Sequence, residues 1–252
     1  MTSSEKIEPK NQQRNILITG SAKGLGRSMA LHLAQTGTRL WLHYFQSEAE
    51  AQSLAKEVQA KGAETELIKA DIGQEVDREQ IFAKMHMQTD RLDILINNVG
   101  LYDGRGLLEF SPSDWRNTLA TGPEAVFHLT QLAKDLLHNA SKATGGARVI
   151  NLGDSGSDRL VARVQATPYH VAKAGIQILT RSFAKELAPL GITVNQISPG
   201  FFENSVGEPG SPIPAGRKGL PSDLIPALDY LLSREAQYIT GTNLVISGGW
   251  NL

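Results

Sequence analysis

Short apolar runs alternate with longer amphipathic stretches along the whole chain. NILITG (15–20), TRLWLHY (38–44), TELIKAD (65–71), DILINN (93–98), RVINL (148–152), ITVNQI (192–197) and NLVISGG (243–249) read as strands. Their nearly unbroken apolar character is that of strands covered on both faces. Between them the period lengthens to that of a helix. LGRSMALHLAQT (25–36) sets Leu25, Met29 and Leu33 on one face and stops at Gly37, a C-cap residue. SEAEAQSLAKEVQAKG (47–62) opens on Ser47 as N-cap and closes on glycine. Further helices are predicted over 74–90, 113–142, 167–189 and 222–233. Six or seven such βα units predict an α/β fold, a single doubly wound parallel sheet that binds ligands at the carboxyl ends of its strands.

No internal repeat and no linker divides the chain. Its 252 residues, 40% hydrophobic and 20% charged, fit one large domain over 14–252, preceded by a polar, loose arm over 1–13. FFENSVGEPGSPIPAGRKG (201–219) is rich in Gly and Pro and too long for a simple connection, so it is a candidate substrate-covering lid. A net charge of -1 with both signs interspersed speaks against nucleic-acid or anionic-membrane partners. Cysteine is absent, which excludes disulfides, thiol catalysis and thiolate metal sites. The histidines form no H-x-x-x-H or comparable set, so no metal is expected. No apolar run approaches the ~18 residues needed to span a bilayer. The expectation is a cytoplasmic protein acting on a small-molecule substrate. Trp41, Trp115 and Trp250 are scattered and read as packing.

The candidate chemistry begins with TGSAKGLG (19–26), between the first strand and the first helix. Gly20, Gly24 and Gly26 let backbone approach a phosphate, and Ser21, Lys23 and Leu25 complete the loop where the helix presents free N–H groups. The second strand ends HYFQS (43–47), with His43, Tyr44 and Ser47 but no carboxylate until Glu48. An acidic residue there would hold a ribose 2′-hydroxyl; its absence, with Lys23 adding a positive charge, points to NADPH. Asp71 closes the third strand and offers an acceptor to an adenine amino group, with Ile72 covering the ring; the plain reading is a turn former. In NNVG (97–100), paired amides tie neighbouring strands, and Asn98, Val99 and Gly100 bring backbone to the cofactor.

YHVAK (169–173) puts Tyr169 and Lys173 one helical turn apart on the same side. A phenol titrates near ~10 and is a poor acid–base catalyst at neutral pH unless a cation favours its phenolate. Lys173 can supply that field.

From residue 14 onward the chain resembles the short-chain dehydrogenase/reductase family. TGSAKGLG, NNVG, YHVAK and the SPG of 198–200 stand in that family's order. The resemblance implies a Rossmann-type fold, hydride transfer between NAD(P)H and a carbonyl or imine, and a homotetramer or homodimer joined through helices near 113–142 and 167–189. It makes Tyr169 the proton donor, Lys173 its tuner and a ribose ligand, and Pro199 and Gly200 part of the nicotinamide pocket. Asn204 takes the place where relatives often use a threonine to bond the carboxamide.

The chain departs from the family twice. The family's serine, thirteen residues before the tyrosine, would be Gly156; the strand-end match puts Asp154 there instead, with Ser155 and Ser157 beside it. The family's relay asparagine best matches Gly122, leaving Thr121 or water to replace it. Within the family, LITGSAKGLGRS, the HYFQS strand end and Asp154 are most similar to pteridine reductases. A carboxyl group suits a pterin because it pairs with ring N–H and amino donors and relays protons to a ring nitrogen; Tyr102 is placed to stack on the ring. Two other readings stand beside this one. One is reduction of a 3-oxoacyl thioester or other ketone with Ser155 as carbonyl donor, and the other a catalytically weak NADPH-binding sensor or scaffold.

Overall fold

The computed structural model describes residues 13–157, 159 and 161–250. All but the last residue of the expected N-terminal arm lies outside them. Seven strands are present: β1 (Arg14–Ile18), β2 (Thr38–Tyr44), β3 (Glu64–Lys69), β4 (Ile94–Asn97), β5 (Ala147–Leu152), β6 (Ile192–Pro199) and β7 (Asn243–Ile246). They pair in the order β3-β2-β1-β4-β5-β6-β7, every pair parallel. The order reverses between β1 and β4, and a doubly wound sheet opens a ligand crevice at such a reversal. The Rossmann-type α/β expectation therefore holds.

The strand period decides which residue enters which layer. Ile16 and Ile18 of β1 join a core layer with α1 (Gly24–Leu33), α2 (Glu48–Ala60) and α7 (Pro221–Leu232), through Met29, Leu54 and Leu228. Leu17, between them, joins the opposite layer with α3 (Glu75–His86), α5 (Ala125–Thr144) and α6 (Thr167–Leu187), through Phe82, Leu129 and Ala184. Successive side chains leave a strand on opposite faces, so a sheet covered on both sides needs apolar residues at consecutive positions.

Several boundaries differ from the sequence reading. The first helix ends at Leu33, and Gly37, at φ +86°, turns the chain into β2 instead of capping the helix. Ser47 occupies the N-cap position of α2, but its side chain makes no capping hydrogen bond. β3 stops at Lys69, leaving Asp71 beyond the strand.

The helix expected over 113–142 is broken. α4 (Pro112–Leu119) meets α5 through a wide turn over Ala120–Glu124 that contains Pro123. Proline has no N–H for the helical ladder, so the break falls there. The break also seats α6. A Cβ on Gly122 would stand 3.1 Å from Ala172 Cβ, and one on Gly175 would stand 3.2 Å from Pro123.

Candidate active site

Pro199 and Gly200, the first part of the predicted lid from Phe201 to Gly210, the end of β5 and the start of α6 enclose a cavity of about 670 Å³, together with Leu25, Asn98, Gly100 and Tyr102. It lies at the carboxyl ends of the strands, the place a doubly wound sheet reserves for ligands.

The glycine loop shows what shapes the cofactor side. Gly20 adopts φ +61°, and a Cβ there would stand 2.8 Å from Val99. On Gly26 it would stand 2.4 Å from the Gly20 carbonyl. The Lys23 side chain makes no capping bond at the start of α1, and the first turn carries no acidic residue. Such a glycine-lined helix start accepts an anion, and a dinucleotide pyrophosphate fits it. Asn98 fixes the loop by donating to the Thr19 and Gly20 carbonyls at 2.9 and 3.1 Å. Asn97 ties β4 to β5, donating to Asn151 at 2.8 Å, as the strand-tying reading expects. Asn204 reaches from the lid towards Gly24, where a Cβ would stand 2.9 Å from its amide nitrogen.

Some residues assigned to the cofactor have other work. His43 is buried; its Nδ1 accepts from the Gly20 N–H and its Nε2 pairs with the Ala70 carbonyl, both at 3.0 Å. Burial lowers its pKa to about 4. It is thus a neutral strut under the glycine loop and not a cation for a 2′-phosphate. Ser21 is also buried, donating to the His43 carbonyl at 3.1 Å. Tyr44 is buried beside Ala22 and Ala51. Ile72 packs in the core with Phe82 and Leu95 and does not cover an open adenine face. Asp71 closes a turn, its Oδ1 accepting from the Gly73 N–H at 2.9 Å. Lys23 stays at the surface, paired with Glu50 at 2.7 Å.

α6 carries the YHVAK residues. It begins from Ala166, held at φ +50°, a conformation disfavoured for residues with a Cβ. A backbone bond to Arg105 and a bridge between Gly106 and Gln165 hold it there. Tyr169 and Lys173 face the same way, with Lys173 Nζ 5.6 Å from the Tyr169 ring centroid. The ammonium is buried and donates to the Leu152 carbonyl at 2.6 Å. Burial lowers its pKa to about 8, against the pull of Asp154.

The expectation that Lys173 favours the phenolate is corrected in this unliganded geometry. Burial, then the Asp154 carboxylate and Tyr102, push the phenol well above its usual value. Among charged groups, Asp154 weighs most on the hydroxyl. A carboxylate beside a buried phenol penalises the phenolate more than an ammonium turned towards a carbonyl helps it.

Past β5 the positions separate clearly. Asp154 lines the cavity, and its Oδ1 accepts from the Gly156 N–H at 2.9 Å. Ser155 also lines it, its backbone N–H bonded to the Pro199 carbonyl and its buried hydroxyl without a partner among the described residues. Ser157 turns away, donating to Gln177 and accepting from Gln196, both at 3.1 Å. Thr121 donates to the Asn117 carbonyl at 2.8 Å, which removes it as a replacement relay. Pro199 and Gly200 line the cavity as expected, and Tyr102 meets Tyr169 edge-on at 5.1 Å.

The sequence reading missed His170, Arg163, Phe201 and Trp250, all of which line the cavity. Trp250 packs edge-on against Phe201 at 4.7 Å, so it is more than scattered packing. His170 was in plain view inside YHVAK. The structure also gathers Glu75, Glu79 and His128 with ligand atoms within 4.8 Å of one another. There His128 Nδ1 already accepts from Arg78 Nε at 3.0 Å, which leaves its other nitrogen protonated and unsuited to a cation. No helix among the described residues is long and apolar enough to cross a membrane.

Comparison with known proteins agrees with this geometry. A family model described as enoyl-(acyl carrier protein) reductase matches residues 20–251. The 3-oxoacyl-[acyl-carrier-protein] reductase FabG of Staphylococcus aureus is 31% identical over 246 residues, covering 94% of this chain and 97% of that one. The Pseudomonas aeruginosa RhlG/NADP active-site complex superposes with a TM-score of 0.85 at 29% identity, over 98% of this chain and 100% of that one. An NADH-dependent reductase, A1-R′, complexed with NAD, superposes with a TM-score of 0.84 at 28% identity, over 95% of this chain and 97% of that one. The chain belongs to the short-chain dehydrogenase/reductase family and is an oxidoreductase.

Proposed function

We propose that the protein is an NADPH-dependent reductase that delivers hydride to the C=N bond of a nitrogen heterocycle of the dihydropterin type. The observation that carries this reading is the Asp154 carboxylate, which lines the cavity together with Tyr169 and raises the pKa of its phenol. A carboxylate has no proton to offer a carbonyl oxygen, but it accepts readily from ring N–H and amino groups. Asp154 therefore orients a heterocycle by its donors, and Tyr169 protonates the ring nitrogen. Lys173, fixed to the Leu152 carbonyl, holds the base of the site. Tyr102, Phe201 and Trp250 supply apolar faces for a flat ring. When bound, the dihydronicotinamide supplies the hydride.

NADPH is preferred over NADH because the carboxylates near the end of β2 are neutralised, Glu48 by Lys69 and Glu50 by Lys23. The exposed Phe127 and Ile178 of α5 and α6 suit a homodimer or homotetramer built on that face.

Ketone reduction on a 3-oxoacyl thioester is the other reading, and the comparisons back it better than they back a pterin. It is favoured by the Staphylococcus aureus relative and by the unpartnered Ser155 hydroxyl, a ready donor to a carbonyl.

NADPH oxidation measured across dihydropteridines, quinonoid pterins and 3-oxoacyl thioesters separates the two. Pterins are expected to turn over fastest, and Asp154→Ser is expected to cut pterin-over-ketone selectivity by about tenfold or more. Selectivity unchanged by that substitution removes Asp154 from substrate recognition. Tight NADPH binding without turnover on any member of the panel would leave a cofactor sensor.

A further inference from the structure

Each turnover removes a proton from Tyr169, and the surroundings of the phenol limit how it returns. Lys173 is buried, with its ammonium committed to the Leu152 carbonyl. The wide turn before α5 offers nothing either: residue 122 is glycine, and a Cβ there would already stand 3.1 Å from Ala172 Cβ. Thr121 spends its hydroxyl on the Asn117 carbonyl. The other side of the phenol is different. Asp154 lines the same cavity as Tyr169, and its Oδ1 lies 4.0 Å from His170 Nδ1. The His170 side chain is 23% exposed, lines the cavity, and meets the Tyr169 ring edge-on at 5.5 Å. A small side-chain rotation or a single bridging water closes the remaining gap.

We propose that Asp154 and His170 form the path by which solvent protons reach Tyr169, with His170 as the outer relay. The proposal rests on the reductase reading above. After the phenol's proton has gone to the substrate nitrogen, the phenolate takes a proton from Asp154 as its carboxylic acid. Asp154 had received that proton from Nδ1 of the His170 imidazolium, and His170 regains one from water. One proton enters and one is delivered, and no electrons move along the path.

Among the described residues, Asp154 favours its imidazolium, Arg163 opposes it, and the Tyr169 ring meets it edge-on. Glu208 also lines the cavity but is paired with Lys218. Burial outweighs Asp154, so His170 titrates below the ordinary imidazole value. Whatever turnover depends on this path therefore falls as pH rises through that lowered pKa.

Two measurements test the proposal. In cofactor-free protein, histidine-resolved NMR titration follows His170 in the parent and in Asp154→Asn. Loss of the carboxylate is expected to lower the His170 midpoint by about half a unit or more; an unmoved midpoint overturns the coupling. In steady-state reduction below the His170 midpoint found in that titration, His170→Gln is expected to lower kcat about tenfold at constant KM, with recovery on addition of free imidazole, and the difference from the parent shrinks as pH rises through that midpoint. A purely structural role would resist rescue, and failure of imidazole or of the parallel His170→Asn variant to behave this way overturns the relay. If no substrate turns over, the reductase reading fails, and the NMR titration alone decides whether the two side chains exchange protons.

Discussion

At Tyr169 the chemistry is set by two neighbours whose effects oppose each other. Lys173 carries a positive charge close to the ring, but its ammonium is aimed at the Leu152 carbonyl; the Asp154 carboxylate acts on the hydroxyl in the opposite sense. The resting phenol is therefore firmly protonated, the state a proton donor needs before reduction. Tyr169→Phe deletes that proton and leaves the packing of the ring. It is expected to lower kcat by about 10²–10⁴-fold, while NADPH affinity measured by fluorescence titration stays within about twofold. A comparable loss of affinity would mean that the hydroxyl serves binding more than proton transfer. The shared face of Tyr169 and Lys173 was legible in the sequence because i, i+4 spacing fixes it. The place of Asp154 was half legible: its position at a strand end was visible, but its approach to Tyr169 needed the fold.

The elements show the same division. The strands were readable because a sheet buried on both faces demands unbroken apolar runs, and those runs stand out against the chain. The break between α4 and α5 was not, because a helical period continues on both sides of it and only the partner helix reveals its purpose. Gly122 and Pro123 bring that turn against Ala172 and Gly175 of α6, and so place the helix that carries Tyr169 and Lys173. Gly122→Ala forces two Cβ atoms to 3.1 Å. It is expected to destabilise the fold by about 1–3 kcal/mol, read from the urea midpoint. Combined with Ala172→Gly, most of that loss should return, since residues in contact couple. Strict additivity of the two substitutions would show that the close approach is not what restricts position 122.

For the whole molecule, His43 links stability to acidity. Folded, it is neutral with a pKa near about 4; unfolded, it has the ordinary 6.5. Above pH 6.5 neither state binds the proton. Between about 6.5 and 4 the unfolded chain binds it and the folded chain does not, so stability falls on acidification, by about 3 kcal/mol from this group. Urea unfolding at pH 7, 5.5 and 4 should show a steeper acid loss in the parent than in His43→Gln, and equal slopes would refute the assignment. From the sequence this histidine looked like a surface ligand for a phosphate, because a strand end in a doubly wound sheet faces the ligand crevice. Only the approach of the glycine loop from β1 and of Ala70 after β3 closes both of its ring nitrogens.

What the sequence determined by itself is whatever depends on local spacing: the strand and helix periods, the parallel α/β class, the glycine loop, and the Tyr169–Lys173 pair. What the tertiary structure alone decided is whatever depends on which distant segments meet. Ser155 faces the cavity while Ser157 does not, His43 is sealed away, and His170 stands beside Asp154. Periodicity tells a residue which side of its own element it occupies. The neighbour it meets there is set by the packing of elements remote in the chain, and no local pattern encodes it.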